Sequence, residues 1–207
     1  MFPLALLNSS ASVINEYVKS WMLFNTLDDL ITDNVWSGGT LTDGQLVGSV
    51  TKNTLSDQSR FNINSGDFTI EFDYTPNATD NNGSNHGLLS FSQNSLATVS
   101  YFIRYNAGFG LMMVSYPSAG GSAEIPVYNT TTLTTGQKYR VVFQRKAGVY
   151  DLLVDGISTV TARNNSALPF NDSANDLYLG VIAVGEYSEY MSGSLDNFKF
   201  SNGIARY

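Results

Sequence analysis

The chain has 207 residues, a formal net charge of −7 and a sequence pI of about 4.5, with no run of basic residues, which excludes the electrostatic footprint of a phosphate-backbone or anionic-membrane binder. It has no cysteine, which excludes disulfides, thiolate nucleophiles and thiolate-ligated metals. Twelve Tyr and twelve Phe against 14 % charged residues supply the rings that fill a gap of about 10 Å between stacked sheets, within one domain of ordinary size.

The opening stretch, Met1-Phe2-Pro3-Leu4-Ala5-Leu6-Leu7, is apolar but lacks a basic flank and a small-residue cleavage site, and it is too short to span a bilayer. No secretion signal is evident, and the stretch reads as a mature N-terminus that packs against another surface. From Ser12 to Phe24, the residues Val13, Ile14, Tyr17, Val18, Trp21 and Phe24 fall at helical spacing, yet Trp21-Met22-Leu23-Phe24 also suits a first buried strand. The strand is expected over 20–25, and 9–18 stay open. Residues 1–18 are assigned to an N-terminal extension for docking or oligomer contact, and 19–207 to the folded domain.

From Thr40 onward, strands recur with turn chemistry between them. Thr40-Leu41 and Leu46-Val47 flank Asp43-Gly44, and Arg60–Ile63 reads as a further short strand. Asp67–Tyr74 alternates strictly, with Phe68, Ile70, Phe72 and Tyr74 on one face and Thr69, Glu71 and Asp73 on the other. A polar loop over 77–87, containing the single His86, precedes strands at Leu88–Ser92, Tyr101–Tyr105, Leu111–Tyr116 and Ile125–Tyr128. Next come Gly136–Phe143 and Tyr150–Ile157, where Asp155-Gly156 is the strongest hairpin signal in the chain, because a type I′ turn needs positive φ at both central residues. A second polar loop over 164–175, a buried strand at Leu177–Ile182 and a closing strand at Gly193–Phe200 complete the series. There is no internal repeat, heptad pattern or linker, so these strands predict one all-β antiparallel sandwich.

Six pieces carry a family resemblance by their order and spacing: Gly66-Asp67-Phe68-Thr69-Ile70-Glu71-Phe72, Gly87-Leu88-Leu89-Ser90-Phe91, Gly136 through Arg145, Leu152-Leu153-Val154-Asp155-Gly156, Leu177-Tyr178-Leu179-Gly180 and Gly193-Ser194-Leu195-Asp196-Asn197-Phe198. From about Trp21 to Phe200 the chain resembles the laminin-G-like branch of the concanavalin A-like lectin/glucanase jelly rolls. The closing Phe198–Tyr207 and the apolar Met-initiated opening look like segments of phage structural proteins that carry this domain. The resemblance implies two curved antiparallel sheets with binding on the concave face or the rim loops. It names no ligand, because the fold serves many functions.

Glucanases of this fold carry a strand motif Glu-x-Asp-x-Glu, which supplies a nucleophile and an acid about 5 Å apart. Here Glu71-Phe72-Asp73 begins the pattern and Thr75 stands at the second Glu, so a solvated polar strand face is expected and no catalytic residue is assigned. His86 is expected as a solvated loop residue, with no nucleophile elbow near it. For calcium, the polar loops offer hard oxygen ligands, and the candidates are Asp80, Asn82, Asp172 and Asp176, although Asx-rich loops more often serve turn geometry. No other cofactor is called for. For glycan, the candidates are Tyr187, Tyr190, Glu186, Arg104 and Tyr105, which combine rings for sugar faces with charged hydroxyl partners, set against the commoner role of such rings in a core or an interface.

The expectation is a non-enzymatic structural or decoration protein on the surface of a virion, on capsid or tail. Its partners would be other virion proteins, copies of itself (a homo-oligomer) and host-surface glycan, with no nucleic acid and no membrane insertion. Two alternatives stand beside it: a carbohydrate-binding receptor-recognition module of a tail fibre, and a degenerate glycan hydrolase.

Overall fold

The computed structural model describes residues 18–22, 40–42, 45–47, 53–55, 61–63, 66–77, 85–92, 98–106, 108–118, 121–165, 170, 176–184 and 187–207. Among them lie seventeen strands and no α-helix: β1 (Val18–Met22), β2 (Thr40–Thr42), β3 (Gln45–Val47), β4 (Asn53–Leu55), β5 (Phe68–Thr75), β6 (Asn85–Ser92), β7 (Tyr101–Asn106), β8 (Gly110–Ser115), β9 (Glu124–Tyr128), β10 (Tyr139–Lys146), β11 (Val149–Val154), β12 (Ile157–Ser158), β13 (Ala162–Arg163), β14 (Asp176–Leu179), β15 (Val181–Val184), β16 (Tyr187–Tyr190) and β17 (Ser194–Asn202).

Every strand pairing is antiparallel. One sheet runs β12-β11-β10-β5-β17-β3-β2, with β1 also paired to β17, and the second runs β13-β9-β8-β7-β6-β14-β4. The alternation in β5 turns Phe68, Ile70, Phe72 and Tyr74 into the space between the sheets, where they meet Tyr101, Ile103 and Tyr105 of β7 and Leu111 and Met113 of β8 in one buried cluster. Ring edges fill the gap: Tyr74 meets Tyr105 at 5.9 Å, and Phe61 meets Phe200 at 4.9 Å and 77°. The segment 129–138 crosses one end of the sandwich from β9 to β10, held by Leu133 N donating to the Tyr105 hydroxyl (3.0 Å) and Gly136 N donating to the Pro76 carbonyl (2.8 Å).

Several expected elements stand. The β2–β3 hairpin closes with Thr42 opposite Gln45, and Asp155 and Gly156 take φ of 51° and 81° in the turn between β11 and β12. Others need correction. The first strand is described over 18–22 and so already begins at Val18; 23–25 of the expected strand, and 1–17, lie outside the described residues. Residues 61–63 form no strand; Phe61 and Ile63 simply insert into the core, while the Phe61 carbonyl accepts from the Tyr101 hydroxyl (3.1 Å). The expected strand 177–182 breaks at Gly180 (φ 73°) into β14, within the second sheet, and β15, which leaves that sheet and pairs with β16.

The β15–β16 hairpin lies on the outer side of β6. Ile182 packs there with Val99, Phe102 and Val114, and Ser90 Oγ donates to the Val181 carbonyl (3.2 Å). Gly87 permits this close approach, since a Cβ at that position would overlap the Glu189 carbonyl oxygen and Ile182 N.

Candidate functional site

The polar face of β5 points away from the core, and register sets its neighbours: Val142 of β10 and Lys199 of β17 flank Glu71, while Arg140 and Asp196 flank Asp73. A register shift between Asp196 and Lys199 puts Asn197 at φ 51°, a bulge that aims its amide across the strands. Asn197 Nδ2 donates to Asp73 Oδ2 at 2.7 Å, and Lys138 Nζ stands 3.4 Å from Asp196 Oδ2 and 4.0 Å from Asp73 Oδ2. A cavity of about 210 Å³ opens between Glu71, Phe72, Asp73, Arg140, Asn197 and Lys199.

Glu71 is only 3 % exposed. Its Oε2 accepts from Arg140 Nη2 (2.6 Å) and the Tyr207 hydroxyl (2.6 Å), and its Oε1 accepts from Arg206 Nη1 (3.0 Å). Arg140 also donates to the Tyr207 hydroxyl and stands 5.3 Å over that ring. Burial by itself raises the Glu71 carboxyl, but the hydrogen bonds from Tyr207 and Arg140 and the charges of Lys199 and Arg140 outweigh it and hold the group below the ordinary carboxylate value. Burial, aided by Arg140 and Arg206, pulls Lys199 below the ordinary lysine value against the attraction of Glu71.

The segment Ile204–Tyr207 forms a strap across this face. Thr69 Oγ1 donates to the Ile204 carbonyl (3.3 Å) and accepts from Arg206 N (3.1 Å). Gln144 grips Tyr207 on both sides, accepting from its N (3.2 Å) and donating to its main-chain oxygen (3.0 Å), which also accepts from Lys146 Nζ (2.9 Å). Thr69, Glu71, Val142 and Gln144 are therefore buried although they face away from the core. The solvated strand face expected from the alternation is corrected: the strap covers it. A glycosidase acid needs a raised pKa, and its partner carboxylate needs a free lone pair for the sugar. The Glu71 carboxyl is instead held below the ordinary value and accepts three hydrogen bonds over both oxygens, and Thr75 supplies no second carboxylate.

A larger, more open groove of about 480 Å³ lies at the end of the sandwich, between Gln45, Val47, Thr75, Pro76, Asn77, Thr135, Gly136, Gly193 and Ser194. Sequence reasoning singled out none of these as a site. The only signal was Thr75, the position where the glucanase motif fails.

The expected glycan residues do not converge. Tyr105 is a fully buried core ring whose hydroxyl is taken by Leu133 N, which corrects its assignment as a glycan contact. Arg104 is 4.0 Å from Glu189 Oε1, donates to Met112 Sδ (3.5 Å) and stands 5.9 Å over the Phe102 ring. Tyr190 packs against the Tyr178–Val181 cluster, Tyr187 belongs to β16, and Glu186 lies outside the described residues. His86 is corrected too: it sits buried on β6 opposite Tyr105, not in a solvated loop. Of the calcium candidates, Asp80, Asn82 and Asp172 lie outside the described residues, and Asp176 Oδ2 accepts from the Tyr178 hydroxyl (3.2 Å). Among the described residues no cluster of three or more His, Asp or Glu stands ready for a metal, and no helix is long and apolar enough to cross a membrane.

No curated protein matches the chain in sequence. Solved structures share its fold at low identity. Botulinum neurotoxin type C, whose cell entry depends on interaction with two ganglioside molecules, aligns with a TM-score of 0.66 at 12 % identity, over 94 % of this chain and 50 % of the toxin chain. Domain 4 of AbnA, a GH43 extracellular arabinanase from Geobacillus stearothermophilus in complex with arabinotriose, aligns at 0.58 and 15 % identity, over 90 % and 92 %. A mutant of Trypanosoma rangeli sialidase displaying trans-sialidase activity aligns at 0.61 and 11 % identity, over 91 % and 31 %. The chain thus spans about half the length of the toxin chains it matches. Residues 47–205, from the end of β3 into the strap, match the family model of the concanavalin A-like lectin/glucanases, and the chain belongs to that superfamily.

Proposed function

We propose that the chain is a non-enzymatic, lectin-type module that holds glycan without cleaving it and serves as a structural or decoration subunit at the surface of a virion. The observation that carries the non-enzymatic part is the state of Glu71. The one residue that matches the glucanase motif with a Glu is locked between Arg140, Arg206 and Tyr207, with no second Glu at Thr75. Glycan contact is supported by the fold class and by relatives described with gangliosides or arabinotriose. The virion setting, on capsid or tail, rests on the resemblance of Phe198–Tyr207 and the apolar Met1–Leu7 to phage structural proteins. Its partners would then be other virion proteins and further copies of the chain. Apolar stretches such as Met1–Leu7 commonly serve as contact surfaces, because left in water they are an aggregation liability.

A glycan array probed with the purified protein tests the first part: retention on a defined subset supports it, and silence across the array refutes the glycan contact. A mass-spectrometric inventory of purified particles tests the second, and absence of the chain from every particle refutes the virion assignment. The receptor-recognition reading gains from the open groove at the sandwich end and predicts that the array hits coincide with host-surface glycans.

A further inference from the structure

Resting on the glycan-binding reading above, the geometry points to the groove at the sandwich end as the site of contact, and to a neutral oligosaccharide of two or three units as its ligand. At about 480 Å³ the groove falls within the range of about 300–1,000 Å³ typical of small-ligand sites, whereas the cavity beside Glu71 is about 210 Å³.

The lining carries the chemistry. In a chain of net charge −7, the described residues that line this groove include no charged side chain. Gln45, Thr75, Asn77, Thr135 and Ser194 offer amides and hydroxyls, groups that both donate and accept, as sugar hydroxyls do. A phosphate, sulfate or ammonium would find no counter-charge among these described residues. Val47 and Pro76 add apolar surface for the C–H face of a sugar ring. The polar groups beside Glu71 are spent on one another and on the strap.

The groove is also held in shape. Ser194 Oγ donates to Gln45 Oε1 (2.7 Å), and the Tyr74 hydroxyl donates to the Ser192 carbonyl (2.9 Å). Gly136 N donates to the Pro76 carbonyl, and Gly193, at φ 105°, lets β17 start against the Thr75 carbonyl, where a side chain would collide. Fixing the rim before the ligand arrives lowers the ordering cost of binding.

The test is an NMR titration of ¹⁵N-labelled protein with lactose, maltotriose and arabinotriose, alongside 3′-sialyllactose as a charged probe. A neutral sugar is expected to shift the amides of Gln45, Asn77, Thr135, Gly136 and Ser194. Thr135→Trp, which fills the groove from an exposed turn, is expected to weaken binding at least tenfold at unchanged melting temperature, and Gln45→Ala, which also releases Ser194, at least tenfold with a small loss of melting temperature, while Arg104→Ala leaves it within twofold. Binding that survives both groove variants, or shifts centred elsewhere, overturns the site and leaves the glycan reading standing. Tighter binding of 3′-sialyllactose than of the neutral sugars at the groove overturns the ligand class, as does an array with hits but no shift from any neutral sugar. A silent array removes the site together with the reading it rests on.

Discussion

Replacing Glu71 by Gln tests whether this carboxylate is a structural anchor. The substitution keeps size and shape but removes the charge that engages two guanidinium groups and a hydroxyl at 2.6, 3.0 and 2.6 Å. A hydrogen bond to a charged group contributes about 1.5–3 kcal/mol. The three do not sum, because Arg140 and Arg206 keep 49 % and 31 % of their side-chain surface in water and regain solvation when released. Relief of the buried carboxylate's desolvation offsets the loss further. The net expectation is a destabilisation of about 2 kcal/mol, or about 4–8 °C in melting temperature for a domain of this size. Scanning calorimetry at pH 7 reads it, and hydrogen exchange should show Arg206 and Tyr207 amides opening faster. The pH dependence has a fixed sign. The folded-state value of Glu71 is lowered, so its contribution is fully present above the ordinary glutamate value of about 4.3 and is lost as pH falls through the lowered one. The gap between wild type and Glu71→Gln should therefore stay constant from pH 7 down to about 5 and close below about 4. An unchanged or raised melting temperature at pH 7 would refute the anchoring role.

Gly87→Ala should lift the β15–β16 hairpin off β6 at a cost of about 1–3 kcal/mol, seen as faster amide exchange in 181–184 and 187–190 while β5 and β10 stay protected. Equal protection of the hairpin would contradict the close approach described at that glycine. Phe61→Ala removes a ring packed against Phe200 and Phe91 and should cost about 3–5 kcal/mol in chemical denaturation, far more than a loop substitution. Tyr178, pushed up to about 12 by burial and by Asp176, should still be protonated at pH 11 in an ultraviolet titration of the folded protein, with its ionisation missing from the curve of Tyr178→Phe. Ionisation of Tyr178 near pH 10 would contradict that placement.

Much of the sandwich was legible because period-two alternation and turn chemistry are local signals. Phe68–Tyr74 states both its inner and outer face, and Asp155-Gly156 states its turn. Long-range events were not legible. Nothing around Leu177–Ile182 says that the chain leaves the sheet at Gly180, because an apolar run looks the same in a sheet centre and under a covering hairpin. His86 read as a loop residue because Asn and Gly surround it; pairing with β7 makes it a strand residue. Tyr105 stood among the glycan candidates because sequence cannot tell a core tyrosine with a satisfied hydroxyl from an exposed one. The same limit hid the strap: burial of Glu71 depends on residues 135 and 136 positions away in sequence, Arg206 and Tyr207. The end groove assembles short pieces of β3, β5, β17 and the 129–138 crossing, and the sequence marks it only at Thr75, where the glucanase motif fails.

Product analysis tests the central claim most directly. The protein is incubated with a mixed oligosaccharide library, and bound and free fractions are sized by mass spectrometry. Retention of intact sugars with no new reducing ends is the predicted outcome. Cleavage products that vanish in Glu71→Gln would contradict it, because they would make the carboxylate under the strap a reacting group.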